Sequence, residues 1–347
     1  MVPIGTRARK MIQTLDFVPD PIQSLVAETP PWQLSKINIC REGVTNIKKN
    51  STAQQLKQNF LLHIAKHSKS MHLYTDGSKS QEAVGFGVVH GHNYMSRALG
   101  TLPKEASIFT AELHALLKAL SIIQTSIYLK WTIFSDSQSS IEAISQQKPK
   151  HPLVQSIQTV LSRLQSQQKE ITFCKVPSHV GVLGNEAADR AANESQNLPG
   201  LHTTRIPYKD YHLPIRRNTM TRWQCLWDHV DDGAPFENKL KKVKPKVRPW
   251  NFIPGGNRKL EVKIARLRIG HTRLTHGHYM SRGRPPECIF CGMSPLTTKH
   301  FLIECQNTQP LRNQLGLPND LQKLLGEECP VAPLVNYLQK IQILDEL

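Results

Sequence analysis

The feature that most restricts the fold is an ordered run of short apolar segments and amphipathic helices between residues 71 and 195. Three strand-like stretches come first, "MHLYTDGS", "AVGFGVVH" and "NYMSRAL", and their short separations favour an antiparallel meander. The apolar spacing of "SIFTAELHALLKALSIIQ" predicts an amphipathic helix. A buried strand "KWTIFSD", two helices, a strand "ITFCKV" and an alanine-rich helix follow. This βββαβααβα order predicts an α/β fold with a mixed five-stranded sheet flanked by helices.

The last helix of this run begins in the stretch "KVPSHVGVLGNEAADRAAN". Asn185 is a favourable N-cap for a helix that starts at Glu186. Glu186 and Asp189 are three residues apart and share one helix face. On its own, the stretch is equally consistent with a capped surface helix whose acids lie near the positive end of the helix dipole.

Charge divides the chain into regions. Net charge is +6 over residues 1–70, +1 over 71–195 and +12 over 196–305. We therefore expect a basic connector over 1–70, the α/β domain over 71–195 and a basic, mainly helical region over 196–347. Such uneven positive charge indicates a nucleic-acid partner. No stretch approaches a membrane span or a secretory signal, so we expect an intracellular protein of the nucleus or cytoplasm, not a secreted one.

Four carboxylates recur where strands end or helices pack. Asp76 and Asp136 end predicted strands, Glu112 lies on the apolar flank of the first long helix, and Asp189 lies in the last helix. Each alone has an ordinary explanation as a turn, a cap or a solvent-facing acid. Brought together at one sheet edge, four acids would repel one another unless cations neutralised them. An all-oxygen ligand set is the preference of Mg²⁺.

The motifs "LYTDGS", "FTAELHAL", "FSDSQSSI" and "VPSHVGVLGNEAAD" resemble, in order and spacing, the type 1 ribonuclease H domain over about residues 71–195. The resemblance implies an endonuclease that hydrolyses the RNA strand of RNA/DNA hybrids with two Mg²⁺ ions, for which Mn²⁺ can substitute. It implies backbone contacts from Gly77 and Ser78 to the hybrid. The residues it marks as catalytic are the four acids, which bind the metal, and the mobile histidine of the final loop: Asp76, Glu112, Asp136, Asp189 and His179.

The sequence departs from many members of this family between its two middle helices. The stretch "SQQKPKHP" is too short for the basic, tryptophan-rich protrusion that some of them use to hold hybrids. We therefore expect the basic flanks to supply affinity through phosphate contacts. Two rival hypotheses stay open: a catalytically silent nucleic-acid-binding remnant, and a related fold that acts on DNA alone, as in integrases. The stretch from His179 to Asp189 argues against the fold that acts on DNA alone.

A second metal site is indicated near the C-terminus by "CIFCGMSPLTTKHFLIEC". Three thiols and one imidazole at this spacing suit tetrahedral zinc, and we expect one Zn²⁺. The ligands would be Cys288, Cys291, His300 and Cys305. The remaining cysteines have no ligand spacing and are expected to bind no metal: Cys40, Cys174, Cys225 and Cys329.

The basic tail around this zinc pattern resembles the C-terminal region of non-LTR retrotransposon polyproteins of the Jockey-like type, and "ETPPWQL" resembles their connector after the polymerase. No Asp-Asp polymerase motif is present, which predicts a truncated element or a fragment. The tail is expected to bind RNA or DNA. Trp223, Trp227 and Tyr279 are candidates for stacking on bases, although the two tryptophans share a helix face, which favours a place in a helix core. The run "KLKKVKPKVR" suits a nuclear signal or a phosphate-binding segment.

Overall fold

The computed structural model describes residues 6, 22–23, 30, 32, 36–40, 52–91, 94–198, 205–233, 238–250, 257–326 and 330–347. Most of the "ETPPWQL" stretch, together with Cys329, lies outside these residues. The chain divides into two compact units, Met1–Arg216 and Arg217–Leu347. No helix in the described part of the chain is both long enough and apolar enough to cross a membrane.

The first unit contains eight strands and five α-helices in its described residues. Their bounds are β1 Ile22–Gln23, β2 Asn38–Cys40, α1 Ala53–Ala65, β3 Met71–Lys79, β4 Val84–His90, β5 Ser96–Leu102, α2 Ile108–Thr125, β6 Lys130–Ser135, α3 Gln138–Ile144, α4 Pro152–Ser166, β7 Glu170–Lys175, α5 Leu183–Ser195 and β8 Ile206–Pro207.

Six of these strands form one mixed sheet in the order β2-β7-β6-β3-β4-β5, and β1 pairs with β8 separately. Strands β2, β7, β6 and β3 run parallel, whereas β4 and β5 form the antiparallel meander with β3. The βββαβααβα order and the mixed α/β sheet are therefore confirmed. The sheet has six strands instead of the predicted five, because β2 adds to its edge beside β7.

The region before residue 71, which was predicted to be a basic connector, adds strand β2 and helix α1 to this unit. Helix α1 begins with a capping box in which Thr52 and Gln55 exchange side-chain and backbone hydrogen bonds. Phe60 of α1 is completely buried and makes an edge-to-face contact with Phe134 of β6, with ring centroids 5.6 Å apart. Because a 13-residue helix is marginal alone, this packing stabilises it.

Helix α5 starts earlier than predicted. It begins at Leu183, its N-cap position is Val182, and no side chain caps it. Asn185 is instead buried within the first turn, so the predicted N-cap at Asn185 is wrong. The physical reason is close packing, since a Cβ at Gly184 would lie 2.4 Å from the Tyr74 ring. Contact with the sheet extends the helix toward its N-terminus by one turn.

The second unit is mainly helical, as predicted for the C-terminal region. Gly270 has a left-handed conformation with φ 75° and ends the helix Arg258–Ile269, and a second helix begins at Arg273. The helices are α6 His212–Asp228, which spans the boundary between the units, α7 Lys239–Val243, α8 Arg258–Ile269, α9 Arg273–Ser281, α10 Gln309–Gln314, α11 Leu321–Leu325 and α12 Val331–Lys340.

Candidate active site and metal-ligand clusters

Strand register brings the first two acids together. Strands β3 and β6 are parallel neighbours, and Thr75 pairs with Ser135. Asp76 and Asp136 each follow one of these paired residues, so they lie side by side. Asp136 follows the last residue of β6 as predicted, but the prediction that Asp76 ends its strand is wrong, because pairing with β4 continues β3 to Lys79. Asp76 is buried, with 7% of its surface exposed, and Asp136 is half-buried.

Helix α2 supplies the third acid. Ser107 caps the helix, and its hydroxyl accepts a hydrogen bond from the Thr110 N–H. Gly77 lets β3 approach α2 closely, because a Cβ there would lie 2.7 Å from the Glu112 nitrogen. Glu112 is 6% exposed, and one carboxylate oxygen from each of Asp76, Glu112 and Asp136 lies within 4.8 Å of the others.

Burial and mutual repulsion raise the pKa values of two of these acids. Burial away from water, then the charges of Asp136 and Asp189, raises the pKa of Asp76 to about 8. Burial, then the charges of Asp76 and Asp136, raises the pKa of Glu112 to about 9. The backbone N–H of Gly77 favours the charged form of both carboxylates and partly opposes these rises in pKa. Without a cation, two acids of this site therefore hold protons at neutral pH.

The carboxylate oxygens fit a divalent cation. The Oε2 atom of Glu112 is buried and makes no hydrogen bond with the described residues. A buried, unpaired carboxylate oxygen is expensive, and coordination to a hard cation would satisfy it. Asp76, Glu112 and Asp136 therefore form a donor set that suits Mg²⁺.

Asp189 reaches the same site from helix α5. The charge of its carboxylate contributes to the raised pKa of Asp76. Asn193, one turn later, donates from Nδ2 to Asp189 Oδ1 at 2.9 Å. The Asn193 Oδ1 atom accepts from the Ser78 hydroxyl at 2.5 Å, and Gln196 donates to Ser78 Oγ at 2.7 Å. This network joins Asp189 to Ser78. Sequence reasoning missed Asn193 and Gln196, although Asn193 follows Asp189 at the i+4 spacing of one helix face.

His179 lies in the turn between β7 and α5, where it is exposed and has a left-handed backbone with φ 52°. Gly181 in the same turn has φ 79°, a conformation that favours glycine. The Gly181 N–H donates to Glu186 Oε1 at 3.1 Å, so the first turn of α5 fixes the end of this loop. The histidine thus lies on the solvent side of a loop anchored to the helix that carries Asp189.

The four predicted zinc ligands of the second unit also converge. One ligand atom from each of Cys288, Cys291, His300 and Cys305 lies within 4.8 Å of the others. Cys291 Sγ is 3.2 Å from His300 Nε2, and the Cys288 and Cys305 sulfurs are 3.9 Å apart. A tight turn, in which the Gly292 N–H donates to the Cys288 carbonyl, brings the first two thiols together. Three soft thiols and one imidazole form a donor set that suits zinc.

The aromatic residues of the basic region differ in exposure. Trp223 is 55% exposed and Tyr279 is 72% exposed. Trp227 is half-buried, and its indole N–H donates to the Lys244 carbonyl at 2.8 Å. Neither tryptophan is fully buried, and Trp223 and Tyr279 present the more accessible rings.

Comparison with known proteins supports the assignment of the first unit. Residues 68–197 match the family model for RNase H. Human ribonuclease H1 is 30% identical over 139 residues, which is 35% of this chain and 48% of that protein. The chain thus spans about half the length of this curated relative.

Two solved structures are also similar. The N-terminal RNase H domain of Rv2228c from Mycobacterium tuberculosis, solved as a fusion with maltose-binding protein, is 23% identical with a TM-score of 0.31. The match covers 37% of this chain and 99% of that one. RNase H1 from the archaeon Halobacterium salinarum is 21% identical with a TM-score of 0.31, and the match covers 36% of this chain and 96% of that one. The four acids and the histidine loop all lie within residues 68–197, the segment that matches the RNase H family model.

Proposed function

We propose that this domain is a type 1 ribonuclease H, an endonuclease that hydrolyses the RNA strand of RNA/DNA hybrids. The observation that carries the proposal is the convergence of Asp76, Glu112 and Asp136, with Asp189 beside them. Such a constellation binds divalent cations and places them against a phosphate group. Two Mg²⁺ ions, or Mn²⁺ in their place, would lower the pKa of the attacking water and stabilise the leaving 3′-oxygen.

Each residue has a separate role in this proposal. Asp76, Glu112, Asp136 and Asp189 hold the cations. His179, on its exposed loop, accepts or delivers a proton near the scissile phosphate at neutral pH. Gly77 and Ser78 lie directly after Asp76, where their backbone groups are available to the 2′-hydroxyls of a hybrid. Asn193 holds the Ser78 side chain and the Asp189 carboxylate in a fixed relation.

A cleavage assay with the full chain tests the proposal. End-labelled RNA/DNA hybrid, duplex DNA and duplex RNA are incubated separately with protein and Mg²⁺. We expect cleavage of the hybrid RNA strand alone, with 5′-phosphate and 3′-hydroxyl products, and loss of cleavage in Asp136→Asn. Glu170→Gln is the matched control, because Glu170 is an exposed acid paired with Lys130 outside the site. Hybrid cleavage that persists in Asp136→Asn contradicts the proposal, and no cleavage by the wild type favours the silent-remnant alternative.

We further propose that the second unit binds one Zn²⁺ through Cys288, Cys291, His300 and Cys305. The convergence of four soft ligand atoms supports this site. The expected outcome is that Cys288→Ser/Cys291→Ser contains one zinc per chain fewer than the wild type. Retention of the same zinc content in that variant contradicts the proposal.

The origin and partners of the chain belong to the same proposal. An RNase H domain followed by a basic region with a CCHC cluster supports derivation from a non-LTR, Jockey-like retrotransposon polyprotein. The basic region would bind RNA or DNA through phosphate contacts, with Trp223 and Tyr279 available for stacking. Free thiols at all six described cysteines favour a reducing compartment, the nucleus or cytoplasm.

A further inference from the structure

A second cysteine–histidine cluster lies in the first unit, away from the carboxylates. One ligand atom from each of Cys40, His63, His67 and Cys174 lies within 4.8 Å of the others. The residues come from three elements that are distant in sequence, which is why ligand spacing in the sequence did not reveal them. We propose that these four residues bind a structural Zn²⁺ ion.

Strand register places the two thiols side by side. Strands β2 and β7 are parallel neighbours, and Cys40 pairs directly with Cys174. Residues paired in this way point to the same face of the sheet. The sulfur atoms are free thiols, and helix α1 packs against this face.

Helix α1 and the turn that follows it supply the two imidazoles. His63 lies in its last turn, and His67 lies four residues later in the turn that follows the helix. The His67 N–H donates to the Ile64 carbonyl at 2.8 Å, so the backbone stays tightly turned and both rings point to one side. Their ring centroids are 5.1 Å apart.

The distances between ligand atoms fit tetrahedral zinc. Bond lengths of about 2.3 Å to sulfur and about 2.0 Å to nitrogen place tetrahedral ligand atoms about 3.3–3.8 Å apart. His63 Nε2 is 3.1 Å from Cys40 Sγ and 3.9 Å from Cys174 Sγ, and His67 Nε2 is 3.8 Å from Cys174 Sγ. Two thiols and two imidazoles are the Cys₂His₂ ligand set of closed structural zinc sites.

The surroundings also suit a structural ion. Cys174 is completely buried and His63 is 5% exposed, among Phe60, Tyr74 and Phe134. Cys40 and His67 are half-buried and line an open groove, which gives the ion a route from solvent. Four protein ligands leave no position for a substrate, so the ion would fasten the fold and carry out no chemistry.

The site would join the region before residue 68 to the RNase H domain. Three ligands precede the family match at residues 68–197, and Cys174 lies inside it on β7. Strand β2 has three residues and α1 has thirteen, so each is marginal without a strong attachment. Lys57 of α1 lies beside the His179 loop, since its Nζ is the atom nearest to a Cβ built at Gly181, at 3.2 Å. The ion would thus hold α1 against the loop that carries His179.

Metal analysis of the full chain tests this inference independently of cleavage. The Cys288→Ser/Cys291→Ser double variant removes the tail cluster, and we expect it to retain one zinc per chain. Adding His67→Gln or Cys40→Ser to the double variant removes that zinc and accelerates amide hydrogen exchange over residues 53–65. Cys225→Ser is the matched control, because this exposed cysteine lies in neither cluster.

Cobalt substitution provides a second readout that does not depend on the triple variants folding. Co²⁺ added to the metal-free double variant should produce the visible bands of a tetrahedral ion with thiolate charge transfer. A folded double variant without zinc and without tetrahedral cobalt bands overturns the proposal. A Cys40–Cys174 disulfide in protein purified without oxygen overturns it as well.

Discussion

The carboxylate site of the first unit and the CCHC cluster of the second unit are assembled in opposite ways. Asp76, Glu112, Asp136 and Asp189 come from strand β3, the end of strand β6 and two helices, spread over more than one hundred residues. Cys288, Cys291, His300 and Cys305 lie within eighteen consecutive residues. The acidic site therefore depends on the whole sheet, whereas one turn and a short π-helical segment suffice to assemble the cysteine cluster.

The two sites also differ in the electrostatic repulsion among their ligands when no metal is bound. Burial holds the acids in a place where their charges repel, and the pKa values of Asp76 and Glu112 rise to about 8 and about 9. Thiols in the metal-free cluster are neutral when protonated and carry no such repulsion. The acidic site thus lowers the stability of the metal-free fold, which is typical of a site kept for function.

The largest effect should come from Glu112→Gln. We expect hybrid cleavage to fall by at least about 100-fold, since even outer-shell partners of metal ligands contribute about 10–100-fold. In EDTA at pH 8 the same variant should melt at a higher temperature than the wild type. The physical reason is that glutamine is neutral, whereas the buried Glu112 carboxyl group must either carry a charge beside other acids or bind a proton. Cleavage rates and thermal melts measure both effects.

Glu194→Gln is the matched control for Glu112→Gln, because Glu194 is a helix-borne glutamate in an exposed ion pair with Arg97. A variant at Glu112 that keeps wild-type cleavage would show that the dispersed site is not catalytic.

Asn193→Ala should reduce hybrid cleavage by about tenfold, because Asn193 supports a metal-binding carboxylate from the outer shell. The loss should appear as a weaker affinity for Mg²⁺, so a high Mg²⁺ concentration should partly restore cleavage. Asn197→Ala is the control, since Asn197 is exposed in the turn after the same helix. Equal rates for both variants would indicate that the Ser78–Asn193–Asp189 network has no role in the site.

Affinity for Mg²⁺ should rise with pH by up to about tenfold per unit for each proton expelled. Below pH values of about 8 for Asp76 and about 9 for Glu112, the metal-free site holds protons that the cation must displace. Affinity should therefore increase from pH 6 and level off above about pH 9. Titration calorimetry in buffers of different ionisation enthalpy measures the protons released.

The same pKa shifts set the sign of the stability change. Both pKa values are raised above the ordinary values of 3.8 and 4.5, so the stabilising contribution of the two acids is complete below those values. That contribution is lost as pH rises through about 8 and about 9. A metal-free protein that becomes more stable between pH 6 and pH 9 would contradict this electrostatic account.

The smallest effect on catalysis should come from the tail. Cys288→Ser/Cys291→Ser should accelerate hydrogen exchange over residues 285–310, yet change turnover at saturating hybrid by less than about twofold. The physical reason is that the acids and the cysteines lie in separate compact units. A large fall in turnover would show that the two sites are coupled.

Much of this molecule could be predicted from residue patterns. The periodicity of residues 71–195 predicted each strand and helix of the α/β domain in the correct order. Asp136 was recognisable because it follows a strand, and the tail cluster was recognisable from its spacing. Asp76 was recognised as well, although it lies within β3 and not at its end. These features are local, so a few neighbouring residues define them.

The sequence by itself determined the order of the elements, the distribution of positive charge and the compact cysteine motif. Only the tertiary structure decided that β2 joins the sheet, that α5 begins at Leu183 and that Asn193 connects Asp189 to Ser78. It alone brought Cys40 and Cys174 beside the two imidazoles of α1. The reason is physical, because strand register and helix packing determine which distant side chains meet, and neither leaves a fixed spacing along the chain.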